Sequence, residues 1–522
     1  MPKTSFDHDG LLSLLQVDRL GDTKISPYTV VVAICVSFLW YRLLRNKFKN
    51  GLADLPGPPL ASWTRFWMLW DVNKGGHMYT MRELHRVHGP IVRIAPNNVS
   101  IADSAAIKSI YSPSAKFTKS EFYDVMNFRM DGKLNEGNIF AVRDEAKHTE
   151  AKRQFASLYS PRKLLTYEKR VDETSHLFFT LLNERFAKDG VKFNLGEWLQ
   201  FYAFDVVAQI TFSDHLGFLR EGKDIDGVIH FLYTFNRYSS TVAQYPILHS
   251  LLLANPIVEW LSDPTRNNPV INFVQSILKE RNDSTETNHV DMIQDLNEMR
   301  KNNPEKVPAH RVVDMCAGNI LAGSDTTGIA LRALLHLLLT NPRCYKKLRD
   351  EIDEKDKEGA LSSPIQMNEA SDLPFLQACL KESMRMHPSV GMSLERLVPK
   401  GGATICDRYF PEGTVVGVNP FVVGRDTTVY GDDVDVFRPE RWIGVTHEQN
   451  ILMERNLLAF GAGKRLCLGK HVSLLEMTKL VPELIRRFDI QLEGSENLEI
   501  LDYWFSFQRG LTCSITARAK SG

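Results

Sequence analysis

Phe460-Gly461-Ala462-Gly463-Lys464-Arg465-Leu466-Cys467-Leu468-Gly469 decides how the rest of this 522-residue chain is read. It fits the pattern F-x-x-G-x-R-x-C-x-G, which ordinary residue usage would produce by chance in roughly one such chain in ten thousand. Each fixed place has a physical reason if the cysteine ligates haem iron. A thiolate is a strong donor that pushes electron density onto the metal, and bound iron keeps the thiol deprotonated. Glycines such as Gly463 let the backbone pass a flat macrocycle where a Cβ would collide. Arg465 suits a haem propionate, and Leu466 and Leu468 keep water from the sulfur. Cys467, Arg465, Phe460 and Gly463 are therefore the expected cofactor-binding residues of this stretch. A dinucleotide fingerprint fails because Leu466 stands where its third glycine belongs, and a P-loop fails because Leu458 stands at its first. The other six cysteines lie far apart with no CxxC pair, which suits buried thiols in a reducing compartment and leaves no structural zinc site.

Working outward, an apolar fraction of 43% and a charged fraction of 24% describe a globular chain with a large core. Lys+Arg and Asp+Glu balance at 63 each, so no basic field exists to hold nucleic acid. Residues Tyr28 to Tyr41 form an apolar run broken only by Thr29 and Ser37, followed by Arg42, Arg45, Lys47 and Lys49. This reads as a membrane segment with a cytoplasmic basic flank. It falls short of the roughly 20 residues that span a bilayer unless Arg42 to Leu44 snorkel; a buried helix is the alternative, and a cleaved signal peptide fits less well. The orientation implied is a luminal N-terminus and a cytosolic bulk. Leu55-Pro56-Gly57-Pro58-Pro59 forbids helix and predicts a stiff extended segment. We therefore expect residues 1–54 to be luminal tail, single-pass anchor and basic flank, and 55–522 to be one catalytic domain. Helical patterns dominate it, with strands at Ile91–Ile101 and between Leu397 and Val418: mainly α with a minor β region.

Between Pro308 and Asn341-Pro342, the stretch Ala309 to Thr340 reads as one helix of roughly 48 Å at about 1.5 Å per residue. Its middle, Ala322-Gly323-Ser324-Asp325-Thr326-Thr327, carries a glycine costing about 1 kcal/mol and a carboxylate that is expensive to bury. Such local penalties gather at functional sites. A second membrane span is a poor alternative, because Asn319, Asp325, Arg332 and His336 interrupt it. Glu382 and Arg385 share one helix face and can pair, although such pairs are usually solvated surface pairs.

Together these stretches resemble the cytochrome P450 family, from about Leu55 to the end of the chain. The resemblance implies a single haem-thiolate domain holding haem b (iron protoporphyrin IX), with Cys467 as axial ligand. It implies that a helix distortion leaves room for dioxygen beside the acid–alcohol pair Asp325 and Thr326, the expected catalytic residues. It implies that Arg441, in Phe437-Arg-Pro-Glu-Arg441-Trp442, joins Glu382 and Arg385 in a structural network. Arg396 matches a propionate-binding arginine. His148 and Lys152 fit the family's W-x-x-x-R helix only loosely; both can donate to a propionate, against a solvated charged helix from Lys147 to Arg153. Gly424 stands where many relatives have histidine.

Substrate contacts are expected by resemblance from Tyr123–Phe140, the helix around Ala322, Gly391 to Leu394, and a late turn with Trp504, Phe505 and Phe507. All imply a lipophilic small molecule. The run Tyr245 to Leu253 either dips into the membrane surface or ends a core helix. The implied reaction is monooxygenation with O2 and electrons from NADPH, delivered by a separate NADPH–cytochrome P450 reductase docking near Lys464 and Lys470. The implied location is the endoplasmic reticulum membrane. Details beginning at Leu84 and Gly413 look like the pisatin demethylase-like branch of fungal enzymes, so a terpenoid, polyketide or alkaloid intermediate is the expected substrate. A thiolate-haem isomerase, dehydratase or peroxide-using enzyme is the alternative, and a haem-binding sensor a remote one.

Overall fold

The structure is a computed structural model that describes residues 26–127, 129–130, 133–134, 138–252, 269–283, 290–494 and 496–519. The expected luminal tail lies almost wholly outside the described residues, as do part of the Tyr123–Phe140 segment and Leu253.

The N-terminal helix is longer than its apolar run. A single helix covers Pro27–Lys47, 21 residues with none buried, about 32 Å at 1.5 Å per residue against a hydrocarbon thickness of about 30 Å. Ser26 starts it by accepting a hydrogen bond from the Tyr28 N–H at 3.3 Å, with Pro27 at the first position. The helix continues through Arg42 and Arg45 because long basic side chains can reach from apolar depth to water. The proline segment after it is folded against the sheet: the Arg93 N–H donates to the Pro56 carbonyl at 2.8 Å.

The body is mainly helical with small sheets, as its patterning requires. One core surrounds the helix Leu195–Phe212, which is buried over nearly its whole circumference. Such a helix cannot be amphipathic, and its sequence LGEWLQFYAFDVVAQITF is not. A second core lies on a five-stranded sheet of β1 (Ile91–Ala95), β2 (Asn98–Ile101), β3 (Thr118–Lys119), β4 (Arg396–Leu397) and β5 (Val415–Gly417), ordered β1-β2-β5-β4-β3. Pairing is antiparallel except between β5 and β2.

The long helix forms over the expected span, with one interruption. Ala309–Asn319 and Asp325–Leu339 are α-helical, and Ile320–Ser324 between them is a π-helical turn. This distortion falls on the stretch where local penalties accumulate. Gly328 lets the helix approach Leu195–Phe212: a Cβ there would stand 3.2 Å from the Gln200 Cα.

Candidate active site

The Cys467 loop lies where the two cores meet. Ala459, Phe460 and Leu468 pack on the helical core, while Leu458 and Ala462 pack on the sheet core. Two 3₁₀ turns, Leu458–Phe460 and Gly463–Arg465, fold it back on itself, and the Cys467 N–H donates to the Phe460 carbonyl at 2.9 Å. Gly461 (φ 68°) and Gly463 (φ 61°) occupy the left-handed region that side chains avoid. At Gly463 the loop also passes close to a neighbouring helix. A Cβ there would stand 1.7 Å from the Tyr111 carbonyl oxygen, so the glycine seats the loop on the helix Ser104–Tyr111.

The sulfur sits at the N-terminus of the helix Lys470–Arg487. Burial pushes the Cys467 thiol up, while the N–H groups of Gly469 and Lys470 and the charges of Lys152 and Lys470 pull it down. Those N–H groups and the helix dipole favour a thiolate. Cys467 nevertheless presents an exposed surface, as do its neighbour Leu466 and, on the long helix, Ala322. Cys316, Cys344, Cys379 and Cys513 are buried. The helix that follows Cys467 and the one that carries Thr326 are tied one residue past the threonine, where Thr327 Oγ1 donates to Ser473 Oγ at 3.0 Å.

Beside this loop the structure gathers basic residues with too few acids. Arg465 Nη2 donates to Glu145 Oε1 at 2.7 Å, and its Nη1 donates to the Val142 carbonyl, also at 2.7 Å. Lys152 Nζ donates to the carbonyls of Lys464 at 3.0 Å and Leu466 at 2.9 Å, bracing the cysteine loop. Arg396 Nη1 donates to its neighbour's carbonyl at 2.7 Å and to Tyr123 Oη at 3.4 Å. His148 is buried with Nδ1 unpartnered among the described residues. Burial and the charges of Arg465, Lys152, Lys119 and Arg396 push its pKa down to about 3, so it is neutral.

Lys119, which no motif marks, completes the group. It stands opposite Arg396 in the β3–β4 register, and burial, Arg396 and Arg465 hold its ammonium well below the usual lysine range. Like charges directly opposed in a sheet are destabilising. The carboxylates at hand are Glu145, taken by Arg465, and Glu395, which accepts from Asn98 at 2.9 Å and Ser120 at 2.5 Å. This donor set fits a ligand bearing two carboxylates, as haem does. Its proximity to an exposed thiol at a helix N-terminus fits the iron of the same group.

The acid and the alcohol are adjacent in sequence but have separate partners. Asp325 is 2% exposed and accepts from Gln200 Nε2 at 2.6 Å. Burial pushes its pKa up to about 6 against the pull of Gln200 and Arg332. The half-buried Thr326 donates through Oγ1 to the Ala322 carbonyl at 2.8 Å, across the π turn, and its own carbonyl accepts from Ser389 at 2.8 Å. Gln200 had no motif to announce it; it is one of several polar residues in a mostly apolar, buried helix.

Glu382, Arg385 and Arg441 are brought together deep in the body. Arg385 donates to both Glu382 oxygens, at 2.9 and 2.8 Å, Arg441 Nε donates to Oε1 at 2.8 Å, and Trp442 Nε1 donates to Oε2 at 2.9 Å. Arg385 also donates to the Gly424 carbonyl at 2.7 Å. A Cβ at Gly424 would stand 2.7 Å from the Arg385 carbonyl oxygen, which explains the glycine.

Over the sheet-side core, Phe122, Tyr123, Phe140 and Trp504 interlock with ring centroids 5.3 to 5.7 Å apart. Val390 bridges to Phe505, bringing the expected late turn against the Gly391 segment.

The family model for Cytochrome P450 matches residues 56–510. Among curated relatives, a cytochrome P450 monooxygenase of Aspergillus terreus is 39% identical over 489 residues, covering 92% of this chain and 98% of that protein. The cytochrome P450 monooxygenase cicH of Emericella nidulans is 38% identical over 459 residues, covering 87% of this chain and 91% of that protein. The cytochrome P450 monooxygenase mpaDE of Penicillium roqueforti is 36% identical over 475 residues; the match covers 90% of this chain but only 56% of that longer protein.

Proposed function

The chain belongs to the cytochrome P450 family of monooxygenases, and from that premise we propose that it oxidises a lipophilic small molecule at the endoplasmic reticulum membrane. Residues 1–54 serve as luminal tail and single-pass anchor, and 55–522 as the cytosolic catalytic domain. Cys467 would hold the iron of haem b through its thiolate. Bound there, the haem supplies activation of O2, with electrons from NADPH through a separate reductase that approaches Lys464 and Lys470. The product gains one oxygen atom, and the second leaves as water.

The observation that carries this reading is the exposed Cys467 thiol at a helix N-terminus beside an excess of buried cations. Arg465, Arg396 and Lys119 balance two propionates, Lys152 holds the loop beneath, and neutral His148 contributes a hydrogen bond. Phe460 and Gly463 shape the loop, and Glu382, Arg385 and Arg441 hold the segments behind it. Thr326 Oγ1, released from the Ala322 carbonyl, can hand a proton toward the substrate side. Asp325 supplies it by turning from Gln200. The aromatic group around Trp504 supports an apolar substrate. A tailoring step on a fungal terpenoid, polyketide or alkaloid, in the pisatin demethylase-like branch, is the finer reading.

The test is to isolate the metabolite that accumulates when this gene alone is deleted from its host, and to supply it to the purified chain with reductase and NADPH under labelled dioxygen. Incorporation of one labelled atom supports the proposal. Conversion without NADPH, or without label, defeats it in favour of an isomerase or dehydratase.

A further inference from the structure

The anchor helix ends on a buried arginine. Arg93, in β1, is 1% exposed, and its hydrogen bonds go to main-chain carbonyls. Nη2 donates to Asn46 and to Pro96, both at 2.7 Å; Nη1 donates to Lys47 at 2.8 Å and to Leu52 at 3.1 Å. Asn46 and Lys47 are the last two residues of the membrane helix. Carbonyls at a helix C-terminus lack intrahelical donors and carry the negative end of the helix dipole. A guanidinium there satisfies both, and the carbonyls are the countercharge a buried cation needs.

Other contacts join the same two bodies. Asn46 Nδ2 donates to the Trp63 carbonyl at 2.8 Å, Trp40 stacks on Trp63 with centroids 6.0 Å apart, and Lys47 Nζ lies 4.8 Å from that ring. The intervening chain is not slack, because Gly57 packs so tightly on β1 that a Cβ would stand 2.1 Å from the Arg93 carbonyl oxygen.

We propose that Arg93 locks the membrane helix and the catalytic domain into one rigid body, so that the domain meets the lipid surface at a fixed tilt instead of swinging on a tether. The tilt holds exposed Leu60, Phe66, Ile247 and Leu251 toward the bilayer. Their two segments are fastened side by side, through Thr64 Oγ1 to Tyr245 Oη at 2.7 Å and Arg65 to the Gln244 carbonyl at 3.2 Å. The proposal rests on the reading of Pro27–Lys47 as a membrane helix.

The experiment uses the full-length, haem-loaded chain in oriented phosphatidylcholine bilayers, reading the linear dichroism of the haem band. A flexible Gly/Ser segment inserted between Lys49 and Asn50 loosens the covalent link but leaves Arg93 and both helix-end carbonyls in place. Dichroism should survive this insertion and be lost when Arg93→Gln is added to it. Loss on insertion alone overturns the lock, and this arm does not depend on the arginine variant folding. Survival in the double variant also overturns it, assigning the tilt to the apolar face. Vesicle flotation separates the premises: an unaltered chain that fails to float refutes the membrane reading, whereas an unaltered or insertion-only chain that floats without dichroism refutes the lock.

Discussion

Thr326 Oγ1 is bonded to a carbonyl of its own helix, a weak hold on a hydroxyl that, in the proposed role, rotates to pass a proton. Positioned proton transfer is typically worth about 10²–10⁴ in rate, and its loss need not stop electron flow. Thr326→Ala should therefore keep the haem spectrum and much of the NADPH consumption, while product per NADPH falls and hydrogen peroxide rises. An unchanged ratio with no added peroxide would remove the threonine from the proton path. Asp325 has a second consequence. With its folded-state pKa raised to about 6 by burial, the folded chain holds the proton more tightly than the unfolded one. Ionisation therefore lowers stability as pH rises from about 4 to about 6, and the full penalty stands above that. Asp325→Asn should slow turnover yet stabilise the protein at neutral pH by up to about 3 kcal/mol, with the gain vanishing near pH 4. A melting temperature that falls at neutral pH would contradict this. At this scale the motif residues were legible because each stands at a fixed spacing. Lys119 and Gln200 were not, because their roles come from a strand register and a helix contact that no local pattern encodes.

Helices and their junctions carry the next level. Glu382 binds two arginines and a tryptophan in a site closed to water. Glu382→Ala leaves Arg385 buried without a carboxylate and Arg441 with Asp433 alone; breaking a buried pair costs about 3–5 kcal/mol, and haem loading should collapse. Purified mutant with full haem content and normal melting would reduce the network to ordinary surface charge. Gly424 packs on the same network. Gly424→Ala should destabilise by about 1–3 kcal/mol through overpacking, although alanine is ordinarily the better helix former; calorimetry decides the sign. The long helix was readable from its proline punctuation and period, and its distortion was expected from resemblance. Its placement on Ile320–Ser324 and the separation of Asp325 from Thr326 were not readable, since both depend on how Leu195–Phe212 packs alongside.

For the whole molecule, the N-terminal apolar helix and the mainly helical body with small sheets were visible in composition and periodicity. The length of that helix was not, because hydropathy stops at Arg42 while the helix continues to Lys47. Deleting residues 1–44 should release much of the protein from membranes without removing haem, since Asn46 and Lys47 remain for Arg93. Some residual binding through Leu60, Phe66 and Ile247 is expected; undiminished embedding would require a second anchor.

The account stands on Cys467 as a thiolate ligand, and the optical spectrum of the reduced protein under carbon monoxide tests it most directly. The full-length chain should show the red-shifted Soret band of thiolate ligation, and Cys467→Ala should lose it. Retention of that band in Cys467→Ala would move the ligand elsewhere and contradict the assignment of the site.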